Sequence, residues 1–101
     1  MNLLGNFING VQSPTQSDRY SEVFNPATGD ITLKVSLSNA EETRDAITVA
    51  EKAFELWRAV TPLNRSRVMF KFKALVEAHI DELARMITLE HGKVLSDAKG
   101  E

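Results

Sequence analysis

The spacing of apolar residues changes partway along the chain, and this change limits the folds that the chain can adopt. Up to Leu37, apolar residues come in short groups separated by turn-forming residues, which is typical of strands. From Ser38 onward they recur every three or four residues, as on one face of a helix. The sequence therefore predicts an α+β chain, with a β-hairpin region at 1–37 and a helical region at 38–101.

Two hairpins are expected in the first region. Asn9-Gly10 lies between apolar residues and accepts the positive φ angles of a type I′ turn. The second hairpin would pair Tyr20–Phe24 with 31–37 across a turn at Asn25–Asp30.

The segment 31–37 alternates strictly between apolar and polar residues. Alternation of this kind indicates a strand with one buried face and one face in water. We therefore expect Leu33 and Val35 to face the interior, and Lys34 and Ser36 to face solvent.

The first helix should begin at a capping box formed by Ser38 and Glu41. In such a box, each side chain accepts a hydrogen bond from the backbone N–H of the other residue. Its apolar stripe continues to Trp57, so the helix is expected to end near Ala59 or Val60.

A second helix should start with Thr61 as N-cap and Pro62 at the first helical position. One uninterrupted apolar stripe then leads to His91, with Gly92 suited to the residue after the helix. The stripe consists of Val68, Met69, Phe72, Leu75, Val76, His79, Ile80, Leu83, Met86 and Ile87. The prediction is a single helix over 62–91, about 45 Å long.

The preceding elements of so short a chain cannot bury the whole apolar stripe of so long a helix. The uncovered part of the stripe predicts self-association through the long helix 62–91. On its exposed side, Asp81 and Arg85 should form an ion pair. A third helix, capped by Ser96, would begin just before Glu101. This late start suggests a polypeptide that continues further.

Composition excludes several classes of protein. The net charge is −2 and the basic residues are interleaved with acids, so no basic surface for nucleic acid is expected. No apolar run approaches the ~18 residues of a membrane span. The chain has no cysteine, which excludes a thiolate nucleophile and fits the cytoplasm. The first six residues lack the features of a secretory signal.

The two histidines do not predict a metal site. His79 and His91 would point in different directions on one helix, and only Glu82 lies at a suitable spacing from His79. Packing in the helix stripe is the favoured role of His79.

Two further segments have both a catalytic and a structural interpretation. In 90–93, Glu90 or His91 could serve as a base and Lys93 as an electrophile, but helix-end chemistry is favoured. The segment 25–29 could be read as a phosphate loop, but its single glycine favours a turn. Arg65 and Arg67, in the first turns of a helix, could pair with an acid or partner outside this segment, but solvated arginines are favoured. We therefore assign no catalytic, cofactor-binding or metal-binding residue to this chain.

The order of these motifs resembles the opening of the aldehyde dehydrogenases, and in 87–101 it is most similar to the methylmalonate-semialdehyde dehydrogenase branch of that family. The resemblance rests on Gly5-Asn6-Phe7-Ile8-Asn9-Gly10, Val23-Phe24-Asn25-Pro26-Ala27-Thr28-Gly29, Ala53-Phe54, Trp57, Arg65, Glu82-Leu83-Ala84 and the run from Ile87 to Glu101. It implies the scaffold portion of a Rossmann-like α/β enzyme and a homo-oligomer. It also implies NAD and coenzyme A as cofactors of the full-length enzyme, with none bound to this segment.

The same resemblance implies an activity. The branch oxidises the semialdehyde through a cysteine thiolate, transfers hydride to NAD and releases propionyl-CoA or acetyl-CoA with loss of carbon dioxide, in valine and inositol breakdown. The residues that carry this chemistry belong to later parts of such enzymes. One hypothesis is therefore an inactive amino-terminal scaffold of such an enzyme. The alternative is a standalone helical interaction or dimerisation module.

Overall fold

The computed structural model describes residues 3–101; Met1 and Asn2, with which the predicted region 1–37 begins, lie outside the described residues. Short strands are followed by helices, which confirms the α+β class. The strands are β1 (Leu3–Leu4), β2 (Asn6–Ile8), β3 (Val11–Ser13), β4 (Tyr20–Phe24) and β5 (Ile31–Ser36). The helices are α1 (Ala40–Arg58), α2 (Pro62–Ala78), α3 (Ile80–His91) and α4 (Leu95–Lys99).

Both predicted hairpins are present. β2 pairs antiparallel with β3, and the turn between them has positive φ at Asn9 (56°) and Gly10 (74°), as a type I′ turn requires. β4 pairs antiparallel with β5, with a shift in register between Val23 and Phe24.

The sheet contains a third strand that the hairpin pattern did not predict. β1 runs parallel to β5 and completes a sheet of order β1-β5-β4. The Ser36 hydroxyl donates a 2.7 Å hydrogen bond to the Leu4 carbonyl, and Ser36 is buried. The expectation that Ser36 faces water is therefore wrong, because β1 covers that end of the strand.

The capping box of α1 is present but lies one residue later than predicted. Asn39, not Ser38, is the N-cap, and its side chain accepts from the Glu42 N–H at 2.8 Å. The Glu42 carboxylate in turn accepts from the Asn39 N–H at 2.9 Å. The Ser38 hydroxyl bonds instead to Asn6, 32 positions earlier in the chain.

The prediction of a single helix over 62–91 is wrong, because the helix is broken at His79. The His79 backbone, with φ −111° and ψ 18°, lies outside the helical range and ends α2 before α3 begins. Because the apolar stripe keeps its spacing through the break, the sequence pattern could not reveal it. The predicted start of α2, Thr61 with Pro62 at the first position, is confirmed.

The predicted third helix corresponds to α4, which begins one residue before Ser96 and has Val94 as its N-cap. Ser96 therefore lies inside α4, and its predicted role as cap is wrong. Helices α3 and α4 contact each other, and Ala84 of α3 and Ala98 of α4 are the buried apolar residues of the described part of the chain.

The chain forms two compact units. The first contains the residues up to Phe24 together with Ile31–Ala59, and the second contains Asn25–Asp30 together with Val60–Glu101. Among the described residues, no helix is both long and apolar enough to cross a membrane.

Candidate functional site

The end of α3 has the geometry of a left-handed helix cap. Gly92 has φ 86°, which a glycine adopts without the steric cost that a Cβ would bring. Its N–H donates to the Thr88 carbonyl at 2.8 Å, and His91 lies in the last helical turn. Lys93 forms an ion pair with Glu101. Gly92 therefore caps α3, as the structural interpretation expects, and Lys93 contacts Glu101.

The polar groups of the turn at Asn25–Asp30 form hydrogen bonds with one another. The Asn25 carbonyl accepts from the Gly29 N–H at 2.8 Å, and the Asn25 side chain accepts from the Ala27 N–H at 3.0 Å. Gly29 has φ 78°. Since these N–H groups already have acceptors, the turn does not fit the pyrophosphate of a dinucleotide cofactor.

This turn and the end of α3 meet in space within the second unit. A Cβ added to Gly92 would lie 3.0 Å from the Pro26 Cγ atom, closer than ordinary van der Waals contact. The two segments are 66 positions apart, and each is among those that carry the family resemblance. Sequence spacing gave no sign that they touch, because apolar periodicity reports only on contacts along one element.

His79 lies at the break between α2 and α3. Its Nδ1 atom is 3.3 Å from a Glu82 carboxylate oxygen, and both side chains are exposed. The predicted spacing of this pair is confirmed, but two groups are too few for a zinc site. The described residues contain no group of three metal-ligating side chains.

An open groove of about 400 Å³ lies beside α3 and α4 and carries charged groups. It is lined by Asp81, Arg85, Leu95, Ser96 and Lys99. Asp81 pairs with the Lys99 ammonium group at 2.7 Å rather than with Arg85, so the predicted Asp81–Arg85 pair is wrong. The pairing arises because α4 folds back against α3, a contact that spacing along one helix cannot show.

Hydrogen bonding from Lys99, followed by its positive charge, lowers the pKa of Asp81 below its ordinary value. In the first unit, the backbone N–H groups of Asn39 and Gln16 lower the pKa of Glu42. A general acid or base for neutral pH would need a raised carboxyl pKa. Both carboxylates are instead held ionised by structural contacts.

These contacts stabilise helix ends, a turn and a pair of helices. That no residue of the chain is catalytic or binds a cofactor or a metal stays a prediction.

The model of the aldehyde dehydrogenase family matches residues 12–101. A malonate-semialdehyde dehydrogenase of Listeria monocytogenes serotype 4b (strain CLIP80459) is 47% identical over 98 residues, which are 97% of this chain and 20% of that protein. The chain thus spans about a fifth of the length of the curated relatives that it matches, at their amino-terminal part.

Solved structures of methylmalonate-semialdehyde dehydrogenases have the same fold over this part of the chain. The methylmalonate-semialdehyde dehydrogenase of Oceanimonas doudoroffii is 46% identical, with a TM-score of 0.94 over 99% of this chain and 20% of that one. A protein of Sinorhizobium meliloti 1021, assigned as a methylmalonate-semialdehyde dehydrogenase and determined with NAD, is 41% identical, with the same TM-score and coverage. Since the family model covers almost the entire sequence and the fold superposes throughout, this chain belongs to the aldehyde dehydrogenase family.

Proposed function

We propose that this chain is the amino-terminal scaffold of an NAD-dependent, coenzyme A-acylating methylmalonate-semialdehyde dehydrogenase. The reaction is oxidation of the semialdehyde with loss of carbon dioxide, giving propionyl-CoA, or acetyl-CoA from malonate semialdehyde. The observation that supports it most directly is the 47% identity to a malonate-semialdehyde dehydrogenase over 97% of the chain. We place the enzyme in the cytoplasm.

The chain itself is proposed to be inactive and to bind neither cofactor. A thiolate nucleophile is impossible here, because none of the 101 residues is a cysteine. The turn at Asn25–Asp30 does not fit a dinucleotide pyrophosphate, because its N–H groups bond internally. The contribution of this segment is therefore positional: the caps and the contact between Pro26 and Gly92 fix a surface for other parts of an enzyme.

Inactivity is tested by mixing the purified chain with methylmalonate semialdehyde, NAD and coenzyme A and following NADH by absorbance. The Sinorhizobium meliloti protein serves as the positive control. We expect no NADH above the rate without protein. Production of NADH by the chain would contradict the proposal.

The scaffold role is tested with a chimera. The matching segment of the Sinorhizobium meliloti protein is replaced by this chain, and the chimera is assayed for NAD binding and for coenzyme A-dependent NADH formation. We expect both to be retained. A chimera that unfolds cooperatively and binds NAD but does not turn over would contradict a purely positional role.

A gene-level test requires no folding. The reading frame is sequenced past the codon for Glu101. A continuation that encodes a cofactor-binding region and a reactive cysteine supports the proposal, and an immediate stop codon contradicts it in favour of a standalone interaction module.

A further inference from the structure

We propose that Asn9 is a modification site, at which the side-chain amide is lost by spontaneous deamidation at a rate set by opening of the β2–β3 hairpin. The proposal does not depend on the proposed function, because it concerns a reaction between this turn and water. It assigns to the Asn9-Gly10 turn a chemical property in addition to its role in reversing the chain.

The reaction needs only water and groups that the turn itself contains. The Gly10 backbone nitrogen attacks the Asn9 side-chain carbon Cγ, the bond between Cγ and Nδ2 breaks, and Nδ2 leaves as ammonia with the proton of the Gly10 N–H. Water then opens the resulting five-membered succinimide ring. Opening at Cγ leaves aspartate, and opening at the main-chain carbonyl leaves isoaspartate, in which the main chain runs through Cγ. No group is oxidised or reduced.

Asn9 is the asparagine of this chain that best fits the reaction. Of the six asparagines, only Asn9 precedes a glycine, and the other five precede residues whose Cβ would hinder the attacking nitrogen. Apart from its chain neighbours, no atom lies within 4 Å of the place where a Cβ of Gly10 would be. The last pair of the hairpin ladder is Ile8 with Val11, so the Gly10 nitrogen lies outside the ladder. The attacking nitrogen is therefore accessible.

The closed turn nevertheless opposes ring formation. Asn9 has φ 56° in a type I′ turn, the mirror image of a type I turn, for which ψ is about 30°. At this ψ, the Asn9 Cβ and the Gly10 nitrogen lie on nearly opposite sides of the Cα–C bond. Cγ can reach the nitrogen only if ψ rotates, and that rotation is incompatible with the pairing of Ile8 and Val11. Ring formation therefore requires the hairpin to open.

The hairpin is held closed partly by a contact at the end opposite the turn. The Asn6 side-chain amide donates a 2.8 Å hydrogen bond to the Ser38 hydroxyl, next to the N-cap of α1 and within the same unit. A two-stranded hairpin is at best marginally stable by itself. The contact between Asn6 and Ser38 should therefore help to determine how often the turn opens.

One product of the reaction cannot rebuild the turn. Isoaspartate inserts an additional methylene group into the main chain between Ile8 and Val11, and the two-residue geometry that sets the register of the hairpin is lost. Aspartate keeps the length of the loop and tolerates a left-handed backbone. The isoaspartate fraction therefore converts a reversible opening of the hairpin into a permanent one.

The first test compares the rate of deamidation in the folded and the unfolded chain. The full chain is incubated at one neutral pH with and without denaturing urea and is then cut with trypsin, which releases residues 1–19 as one peptide because Arg19 is the first basic residue. Mass spectrometry with fragmentation locates the modified residue. We expect Asn9 to be modified before the other asparagines, at least about tenfold more slowly in the folded chain, as for a hairpin open at most about a tenth of the time. Asn9→Gln should abolish the product.

The second test changes the stability of the hairpin without altering the reacting residues. Ser38→Ala removes the acceptor of the Asn6 amide and should raise the rate in the folded chain about fivefold. Ser21→Ala is the matched control, because it removes an exposed hydroxyl from β4 of the same unit and should leave the rate unchanged. In urea, both variants should react at the rate of the unaltered chain. Circular dichroism verifies that both variants retain their helices.

The third test concerns the product. The isoaspartate form is separated from an aged sample, and exchange of the Val11 N–H is followed by nuclear magnetic resonance. Protection of this N–H should be lost in the isoaspartate form and retained in Asn9→Asp, which has the same side chain as the other product.

Equal rates at Asn9 in the folded and the unfolded chain would overturn control by the hairpin, and an unmodified Asn9 in urea would overturn the site itself. Equal rates for folded Ser38→Ala and Ser21→Ala would show that the contact between Asn6 and Ser38 does not hold the turn closed. Retained protection of the Val11 N–H in the isoaspartate form would contradict permanent opening.

Discussion

Gly92 has two separate reasons to be glycine. Its φ of 86° is one that L-residues with a Cβ rarely adopt, and a Cβ at this position would also press on Pro26. The first reason could be anticipated from the sequence, since a glycine after a helical stripe predicts a left-handed cap. The second could not, because it depends on a turn 66 positions earlier in the chain.

Gly92→Ala should lower the free energy of unfolding by about 2 kcal/mol, from the strained φ together with the contact with Pro26. Gly29→Ala is the matched control, because Gly29 has a similar φ of 78° but open space where a Cβ would be. Its expected loss is about 1 kcal/mol, from strain alone. Urea denaturation followed by circular dichroism measures both, and equal losses would show that the contact with Pro26 has no energetic weight.

Glu42 should contribute a pH-dependent part of the stability. Hydrogen bonds from the Asn39 and Gln16 N–H groups lower its pKa in the folded chain below the ordinary value of 4.5. A carboxylate with a depressed folded-state pKa stabilises the fold above its ordinary pKa, and this stabilisation is lost as the pH falls through the folded-state value. Glu42→Gln should therefore be less stable than the unaltered chain at pH 7, and the difference should disappear in acid.

The comparison for this experiment is Glu41→Gln, which removes a charge from the same helical turn but leaves the hydrogen bonds of Glu42 in place. Urea midpoints at several pH values measure both variants. If Glu41→Gln and Glu42→Gln show the same pH profile, the helix dipole and not the hydrogen-bond network is responsible.

At the scale of the element, turn and cap chemistry was the most predictable part of the fold. Asn9-Gly10 favours positive φ angles because Gly10 lacks a Cβ, Thr61-Pro62 favours a helix start through the Thr61 hydroxyl and the proline ring, and both conformations are present. Ser38 and Asn39 are both good N-caps, but Ser38 bonds with Asn6 and Asn39 caps α1, so the predicted start was one residue too early.

Asn39→Ala should destabilise the first unit by about 1 kcal/mol, because the first turn of α1 loses its side-chain acceptor. Thr48→Ala lies within the same helix and removes an exposed hydroxyl that bonds to the Arg44 carbonyl, together with a methyl group, so its expected effect is within about 0.5 kcal/mol. Thermal denaturation monitored at the helical band compares them. A loss in Thr48→Ala as large as in Asn39→Ala would contradict the assigned cap.

Local sequence patterns could not predict the break at His79 or the parallel pairing of β1 with β5. Neither involves glycine or proline at the point where the structure departs from expectation. The pairing of β1 with β5 depends on contacts between residues distant in the chain, as does the ion pair of Asp81 with Lys99 rather than with Arg85. For the candidate sites, sequence patterns identified the segments 25–29 and 90–93. They did not predict the contact between the turn at Asn25–Asp30 and the end of α3.

At the scale of the molecule, the chain exposes much more surface than a self-contained domain of its size. Its accessible surface is 8248 Å², whereas a folded monomer of 11.3 kDa would expose about 5,700 Å². The excess is rich in large apolar side chains, among them Phe7, Phe54 and Leu56 in the first unit. This composition agrees with a segment that is about a fifth of the length of its relatives.

The isolated chain should therefore bind a hydrophobic dye such as anilinonaphthalene sulfonate and unfold over a broad range of urea, with an m-value below about 1 kcal/mol/M. The reason is that the change in accessible apolar surface on unfolding is small. A compact domain of equal length is the control for both measurements. A steep transition without dye binding would show that the chain covers its apolar surface by itself or through tight association.

The contact between Pro26 and Gly92 has a consequence for any attempt to divide the chain. The turn at Asn25–Asp30 belongs to the second unit, although the strands on either side of it belong to the first. The backbone therefore passes between the units three times. A protease that cut only between Ala59 and Thr61 would not release two intact pieces, because the carboxy-terminal product would lack the turn that packs against its own Gly92.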